Sequence, residues 1–213
     1  MMRSRPRRRA AHLLVAAALT ALAAALPAPV RAQAPSGVSD ADLHFMSGMI
    51  VHHAQAVLIA GWAASHGAGP SVRELCDRVV ISQRDEMATM ERWLLEHHQA
   101  LPDTSPRASL GGMAAMPGMA MGGPAMMPGM LTPPQLAQLD SARGPAFDGL
   151  FLTFMIQHHR GALTMVAEYQ GANGAGQDPF VFQFASDVNG DQTAEIDRMG
   201  RMLAAMPSLP RSP

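Results

Sequence analysis

The chain carries two copies of one helical pattern, and this internal duplication restricts its fold more than any other feature of the sequence. Seven residues near its start recur as the same types 106 positions later: Asp42, Phe45, Met49, Ile50, His52, His53 and Ala56. Further residues recur 109 positions later, among them Gln83, Glu86, Met90 and Leu94. A loop that is three residues longer in the second copy explains the change in offset. Each copy predicts a helical hairpin, and two hairpins that bury their apolar faces together predict a four-helix bundle.

Capping and stop signals set the expected helix boundaries. Capping boxes begin at Ser39 and Ser71, and the glycines and proline of 67–70 separate the first two helices. The expected helices are 40–66, 71–98, a short one within 132–144, 145–170 and 178–206. No stretch alternates regularly enough to predict a strand, so the expected fold class is all-α.

Residues 1–32 predict a secretory signal peptide. Five arginines precede an apolar run from Leu13 to Leu26, and a small-residue exit ends at Ala32. Cleavage there removes six of the sixteen basic residues and none of the seventeen acidic ones, which leaves a net charge of −7. We therefore expect an acidic periplasmic or secreted protein that binds no nucleic acid and, after cleavage, no membrane. Its single cysteine, Cys76, lies in a helical apolar pattern that favours a buried thiol over a reactive one.

The mature chain divides into two hairpins around a methionine-rich linker. The expected organisation is a signal peptide at 1–32, an N-terminal tail at 33–39, a first hairpin at 40–99, a Met/Gly/Pro-rich linker at 100–131, a second hairpin at 132–206 and a tail at 207–213. The two hairpins are expected to form one bundle domain.

Each hairpin places a Met-x3-His unit on one helix face, because residues four apart in a helix are neighbours. Met49 and His53 form the unit of the first copy, and Met155 and His159 that of the second. The second histidine of each His-His pair should point to the bundle centre, and the first should lie about 100° away on the flank. The candidate metal ligands are Met46, Met49, His52, His53, Met87, Met90, Met155, His158, His159 and Met199.

Taken singly, an inward methionine or histidine is more often an ordinary core residue than a ligand. Two repeated Met–His units favour metal ligation instead, because histidine is a costly packing choice. The partner helices add Glu86 and Glu195, which are candidates for holding the imidazoles by hydrogen bonds.

The central linker is a second source of thioethers. Residues 111–130 hold seven methionines among little besides Gly, Ala and Pro, so the segment is predicted to be flexible. It is either a low-complexity spacer or a mobile set of weak ligands that bind a metal by converging. Its candidate secondary ligands are Met113, Met116, Met119, Met121, Met126, Met127 and Met130.

Ligand softness points to copper as the bound metal. Thioethers favour Cu(I), whereas imidazoles accept Cu(I), Cu(II) and other late metals. We therefore expect Cu(I) in preference to Cu(II), with both open.

The pattern Phe45-Met46-x-x-Met49-Ile50-x-His52-His53-x-x-Ala56 and its repeat from Phe151 to Ala162 resemble the domain of unknown function 305 family, which includes CopM-like exported Met/His copper-binding proteins. The resemblance covers about 40–205 and implies a ferritin-like four-helix bundle that binds copper. By matching motif positions it points to Met46, Met49, His52, His53, Met155, His158 and His159. Two positions depart from the pattern: Leu152 stands where the first copy has Met46, and Met202 where it has Trp93. The second half is therefore expected to bind more weakly.

We expect a non-enzymatic protein that sequesters or transfers copper in copper homeostasis or resistance. A copper exporter or a periplasmic chaperone is the candidate partner. One alternative is a ferritin-like metal-dependent oxidase, which would draw on Glu from two helices and Glu-x-x-His from two others. Neither His-His pair here has a Glu three residues before it. The other alternative is a helical bundle that only binds another protein, in which His53 and His159 serve packing.

Overall fold

The structure is a computed structural model that describes residues 37–106 and 126–206. Five helices lie in these ranges: α1 (Asp40–Ala60), α2 (Pro70–Glu96), α3 (Pro133–Ser141), α4 (Pro145–Gly171) and α5 (Pro179–Ala204). The same ranges contain no β-strand, which confirms the predicted all-α class. The predicted signal peptide, the tail at 207–213 and four linker methionines (Met113, Met116, Met119 and Met121) lie outside the described residues.

The helices begin at signals that the sequence carries, except that the capping box expected at Ser71 does not form, because α2 already begins at Pro70 with Gly69 as its N-cap. The Ser39 hydroxyl accepts a hydrogen bond from the backbone N–H of Asp42, and the Asp42 carboxylate accepts one from the backbone N–H of Ser39. This reciprocal pair begins α1 at Asp40. A proline lies in the first turn of each of the other four helices, where its missing N–H costs no hydrogen bond.

The first helix is shorter than the predicted 40–66. It ends at Ala60, and residues 61–67 form turns in which the N–H of Trp62 donates to the carbonyl three residues back. His66 lies in this turn, and its Nε2 is 3.0 Å from the carbonyl oxygen of Asp140 on α3. The segment that periodicity assigned to the helix therefore connects α1 to α3 instead.

The four long helices pair as two hairpins, α1 with α2 and α4 with α5, and α1 packs on α4. The α1–α4 pair is antiparallel, because Phe45 near the start of α1 stacks on Tyr169 near the end of α4, with ring centroids 4.6 Å apart. The duplicated carboxylates tie α4 to its neighbours at both of its ends, to α1 through Asp42 and to the start of α2 through Asp148. Asp42 accepts a hydrogen bond from the Tyr169 hydroxyl at 2.7 Å, and Asp148 accepts one from the Gly69 N–H at 3.1 Å.

Two apolar clusters occupy opposite ends of the helices. The Phe45 cluster contains Phe45, Met46, Met49, Ile50, Met90, Trp93, Leu94, Ala162, Val166, Tyr169, Val181, Ala185 and Val188. The Phe151 cluster includes Ile59, Leu75, Cys76, Val79, Leu131, Phe147, Phe151, Leu152, Met155 and Met199. Each long helix contributes to both clusters, so the residues at the middle of each helix lie between them.

Among the helices of the described residues, α1 is long and apolar enough to cross a membrane. Most of it is buried against the other helices, and a core helix has the same composition. Cys76 on α2 is 1% exposed, as expected, and burial raises the pKa of its thiol to about 12. The thiol is therefore protonated and shielded from reagents.

The end of the methionine-rich linker is not the flexible spacer that its composition predicts. Residues 126–131 lie against α1 and α4, with Met130 and Leu131 buried. The Gln55 side chain holds the backbone of Leu131 at both its N–H and its carbonyl, at 2.7 and 3.3 Å. Gly129, with a φ of 75°, approaches Gly161 on α4 so closely that a Cβ at Gly161 would lie 2.6 Å from the Gly129 Cα. The segment is held by tertiary contacts that its composition cannot show.

We predict that Gly161→Ala destabilises the protein by about 1–3 kcal/mol or displaces residues 126–131, because the new methyl group overlaps the Pro128 carbonyl. The matched control is Gly190→Ala at an exposed position inside α5, where a Cβ meets no atom of the described chain within 4 Å. That change should stabilise by about 0.5–1 kcal/mol through helix propensity. Urea unfolding measures both, and equal stabilisation by the two variants would contradict the docked position of the segment.

Candidate metal site

A layer of polar side chains crosses the middle of the four long helices and separates the two apolar clusters. We name it the polar layer: His52, His53 and Gln55 on α1, Gln83 and Glu86 on α2, His158 and His159 on α4, and Gln192 and Glu195 on α5. All four histidines are 0% exposed. Burying this many polar groups in an apolar core costs free energy unless each is hydrogen-bonded, and several of these atoms have no partner in the described chain.

Both histidines of each pair are buried, which corrects the expectation that the first one lies on a flank. The rings of His52 and His158 contact each other across the α1–α4 interface, with centroids 3.9 Å apart and planes tilted by 36°. The ring centroids of His52 and His53 are 6.4 Å apart, and those of His158 and His159 are 6.3 Å apart. The flank is buried because α1 and α4 cross there, and the periodicity of a single helix does not reveal that crossing. Four imidazoles therefore form one cluster.

Each outer imidazole is held by a carboxylate from its own hairpin. His53 Nε2 lies 2.5 Å from Glu86 Oε2, and His159 Nε2 lies 2.6 Å from Glu195 Oε2. A carboxylate can only accept, so Nε2 carries the proton in both rings and a neutral ring has a bare Nδ1. Both Nδ1 atoms are buried and have no hydrogen-bond partner in the described chain.

His52 has the same tautomer for a different reason. Its Nε2–H donates to the Pro128 carbonyl at 3.0 Å, a bond supplied by the docked end of the linker. Burial first, and then the neighbouring His53, lower its pKa to about 3. Burial also lowers the pKa of His158 well below its ordinary value, followed by the charges of His52, His159 and His53. Both rings are therefore neutral at physiological pH, the form in which imidazole binds metals.

The buried methionines divide between the two ends of the site. Met46, Met49 and Met90 belong to the Phe45 cluster, on one side of the His53–Glu86 pair. Met155 and Met199 belong to the Phe151 cluster, on one side of the His159–Glu195 pair. All five are 0% exposed, and Met87 is half-buried. Each of the two apolar clusters therefore contains buried thioethers, and the Phe45 cluster has the extra thioether of Met46.

The donor set is suited to a soft metal and poor for a hard one. No three His, Cys, Asp or Glu side chains within 37–106 and 126–206 converge on a common point for a metal ion. Coordination would therefore need thioethers beside the imidazoles, and that combination favours Cu(I). Of the linker candidates that the structure describes, Met126 and Met127 are half-buried and Met130 is buried.

Sequence reasoning missed Gln55 and the Pro128 carbonyl. Gln55 is a polar residue within an apolar helix, and this contrast could have marked it as a residue with a specific hydrogen-bonding role. It also departs from the duplication, because its counterpart 106 positions later is Gly161. The two residues contact the docked linker from opposite helices, Gln55 by hydrogen bonds and Gly161 by leaving room. A segment that occurs once must break the symmetry of a duplicated pair.

The model of one protein family, a domain of unknown function named DUF305, matches residues 42–203. The chain belongs to this family. The family resemblance seen in the sequence is thereby confirmed, and it covers most of both hairpins. No curated protein matches the chain.

Solved DUF305 structures have a similar fold. A putative secreted DUF305 protein from Streptomyces coelicolor is 26% identical, with a TM-score of 0.61 over 77% of this chain and 92% of that chain. A DUF305 fragment from Deinococcus radiodurans is 27% identical, with a TM-score of 0.63 over 79% and 98%. CopM in its Cu(II)-bound form is 23% identical, with a TM-score of 0.57 over 76% and 95%. The last likeness shows a common fold.

We predict that Gln83→Met stabilises the metal-free protein by about 1–2 kcal/mol. Gln83 is 1% exposed, and neither its Oε1 nor its Nε2 has a hydrogen-bond partner among the described residues. Removing a buried, unpaired amide at nearly constant volume recovers its desolvation cost. Gln138→Met, at an exposed position on α3, is the control and should change stability by less than about 0.5 kcal/mol. Denaturant unfolding measures the free energy of unfolding of both variants. A loss of stability in Gln83→Met would show that the Gln83 amide has a hydrogen-bond partner after all.

Proposed function

We propose that this DUF305 protein is an exported copper-binding protein that sequesters or transfers copper without catalysing a reaction. The observation that carries the proposal is the set of buried imidazole nitrogens without hydrogen-bond partners at the middle of the helices, with buried methionines in the apolar clusters on either side. Imidazole and thioether are soft ligands that suit Cu(I), but they carry no charge, so the positive charge of the ion needs an anion nearby. The charge of the bound ion would be balanced by Glu86 and Glu195 behind the imidazoles.

Two ligand sets follow from the duplication. His53 would bind with Met49 and the thioethers of the Phe45 cluster, and His159 with Met155 and Met199. Met49 and Met155 lie four residues before their histidines and so share their helix faces. Because Leu152 replaces the counterpart of Met46, the first set has one more sulfur and should bind more tightly.

We also infer that the four long helices form a ferritin-like four-helix bundle, with the polar layer in the position where such bundles hold metals. The shared fold with the Cu(II)-bound CopM supports this architecture, and the copper assignment rests on the side chains of this chain. The secreted relative from Streptomyces coelicolor supports an extracytoplasmic location. A copper exporter or a periplasmic copper chaperone is the partner that a transfer role would require.

An oxidase role fits the side chains less well. A di-metal carboxylate site draws on at least four carboxylates that point inward. In the described parts of α1, α2, α4 and α5, the polar layer offers only Glu86 and Glu195, and each is hydrogen-bonded to a histidine. Iron loading followed by dioxygen consumption would favour the oxidase over copper storage or transfer.

We predict that the wild-type protein competes with a Cu(I) chelator under anaerobic conditions and that His53→Ala/His159→Ala weakens its affinity by about 100-fold or more. The loss of an orienting partner alone weakens metal sites by roughly 10- to 100-fold, so Glu86→Gln/Glu195→Gln should fall in that range. His97→Ala/His98→Ala removes two histidines that follow the end of α2 at Glu96, outside the polar layer, and should leave the affinity unchanged.

Deletion of 111–125 tests the linker while keeping the docked segment 126–131. A fall in copper stoichiometry would indicate that the linker methionines bind copper, whereas an unchanged stoichiometry would indicate that the linker is a spacer. Wild-type affinity no tighter than micromolar, or equal losses in the His53/His159 and His97/His98 variants, would overturn the proposed function. Circular dichroism of each variant shows that a loss of binding is not a loss of fold.

A further inference from the structure

An open cavity of about 460 Å³ lies between α2 and α5, on the side of the polar layer where the two glutamates are. We name it the acidic cleft. Its charged and amide side chains are Asp85 and Glu86 on α2, Asp191, Gln192 and Glu195 on α5, and Arg78 at one end. Four carboxylates thus face one guanidinium. Arg78 also pairs with Glu74, which does not line the cleft, so its charge is partly neutralised.

The carboxylates of the cleft are close enough to influence one another. The pKa of Asp191 is raised, first by burial and then by the charges of Glu86, Glu195 and Asp187. A concave surface lined by one sign of charge focuses the electric field and concentrates ions of the opposite sign. The cleft therefore attracts cations.

Glu86 and Glu195 connect the cleft to the buried imidazoles. Their side chains are 16% and 22% exposed, whereas the histidines that they hold, His53 and His159, are 0% exposed. Each glutamate therefore lines the cleft and also contacts the polar layer. A second observation also points to a ligand. Gln192 lines the cleft and is 2% exposed, and its Oε1 has no hydrogen-bond partner within the described ranges, so it is free to contact a passing cation.

We propose that the acidic cleft is the route by which copper ions pass between solvent and the buried histidines. This inference rests on the proposed function. A cation attracted into the cleft meets carboxylate and amide oxygens first, and the bare nitrogens of His53 and His159 lie beyond the two glutamates. The oxygens of the cleft do not converge into a metal site in the described chain, which suits a passage rather than a store.

The other side of the polar layer is closed by protein. There His52 donates to the Pro128 carbonyl, and Gln55 holds the backbone of Leu131. Leu131 is 0% exposed and Met130 is 3% exposed. A route on that side would have to displace this segment, whereas the α2–α5 side needs only a rotation of two partly exposed glutamates.

The first experiment compares rates of copper uptake by the full mature protein, with aqueous Cu²⁺ as the probe and tryptophan fluorescence as the signal. Asp85→Asn/Asp191→Asn removes two charges from the cleft without touching the histidines. Asp77→Asn/Asp197→Asn is the matched control, since it removes one exposed charge from each of the same two helices outside the cleft. We expect the cleft variant to slow association about three- to tenfold at low ionic strength, with less effect at about 1 M salt. Its equilibrium affinity should fall by no more than the same factor, because the histidines that bind the ion are unchanged.

The second experiment narrows the passage. Ala194 lines the cleft and is exposed, and its neighbour Thr193 is exposed outside it. Ala194→Phe should slow copper uptake and copper release by a similar factor, which leaves the affinity unchanged, and Thr193→Phe should alter neither rate. Equal uptake rates in the cleft and control variants would overturn the access route alone. A wild-type protein that binds no copper would overturn the proposed function, and the access route with it.

Discussion

Four imidazoles buried at the crossing of α1 and α4 are the feature on which the rest of the structure depends. Each polar group buried in an apolar core lowers stability unless it is hydrogen-bonded, and neighbouring elements supply hydrogen-bond acceptors to three of the rings. Glu86 and Glu195 accept the Nε2 protons of the outer rings, and the Pro128 carbonyl accepts that of His52. In these three rings the Nδ1 atom remains buried without a hydrogen-bond partner in the described chain. An unpaired buried nitrogen lowers stability, so packing alone does not explain these histidines.

The duplication gives the site two similar halves, and the differences between the halves are informative. The first half has the additional sulfur of Met46, where the second has Leu152. Gln55 and Gly161 occupy equivalent positions in the two copies. Gln55 makes two hydrogen bonds to the docked segment, whereas Gly161 leaves room for that segment because it has no side chain. A symmetric pair of hairpins has thus become a site with one covered side, at 126–131, and one open side, at the acidic cleft.

Much of the fold could be predicted because its signals are local. The capping box at Ser39, the prolines in the first turns and the glycines near 67–70 mark helix ends through contacts within a few residues. The Met-x3-His spacing marks a shared helix face by the same logic. Both predictions need only the geometry of one helix. The end of α1 was predicted less well, because His66 reaches α3 across 74 residues of chain.

The sequence by itself determined the number and order of the long helices, the duplicated hairpin and the residue types that could ligate a soft metal. Only the tertiary structure decided that the rings of His52 and His158 meet, that residues 126–131 cover one side of the polar layer, and that the carboxylates of α2 and α5 share one cleft. The physical reason is the range of the interactions. Helix formation depends on neighbours within about four residues, whereas the contact between the two rings, the covered side and the cleft depend on where separate helices meet.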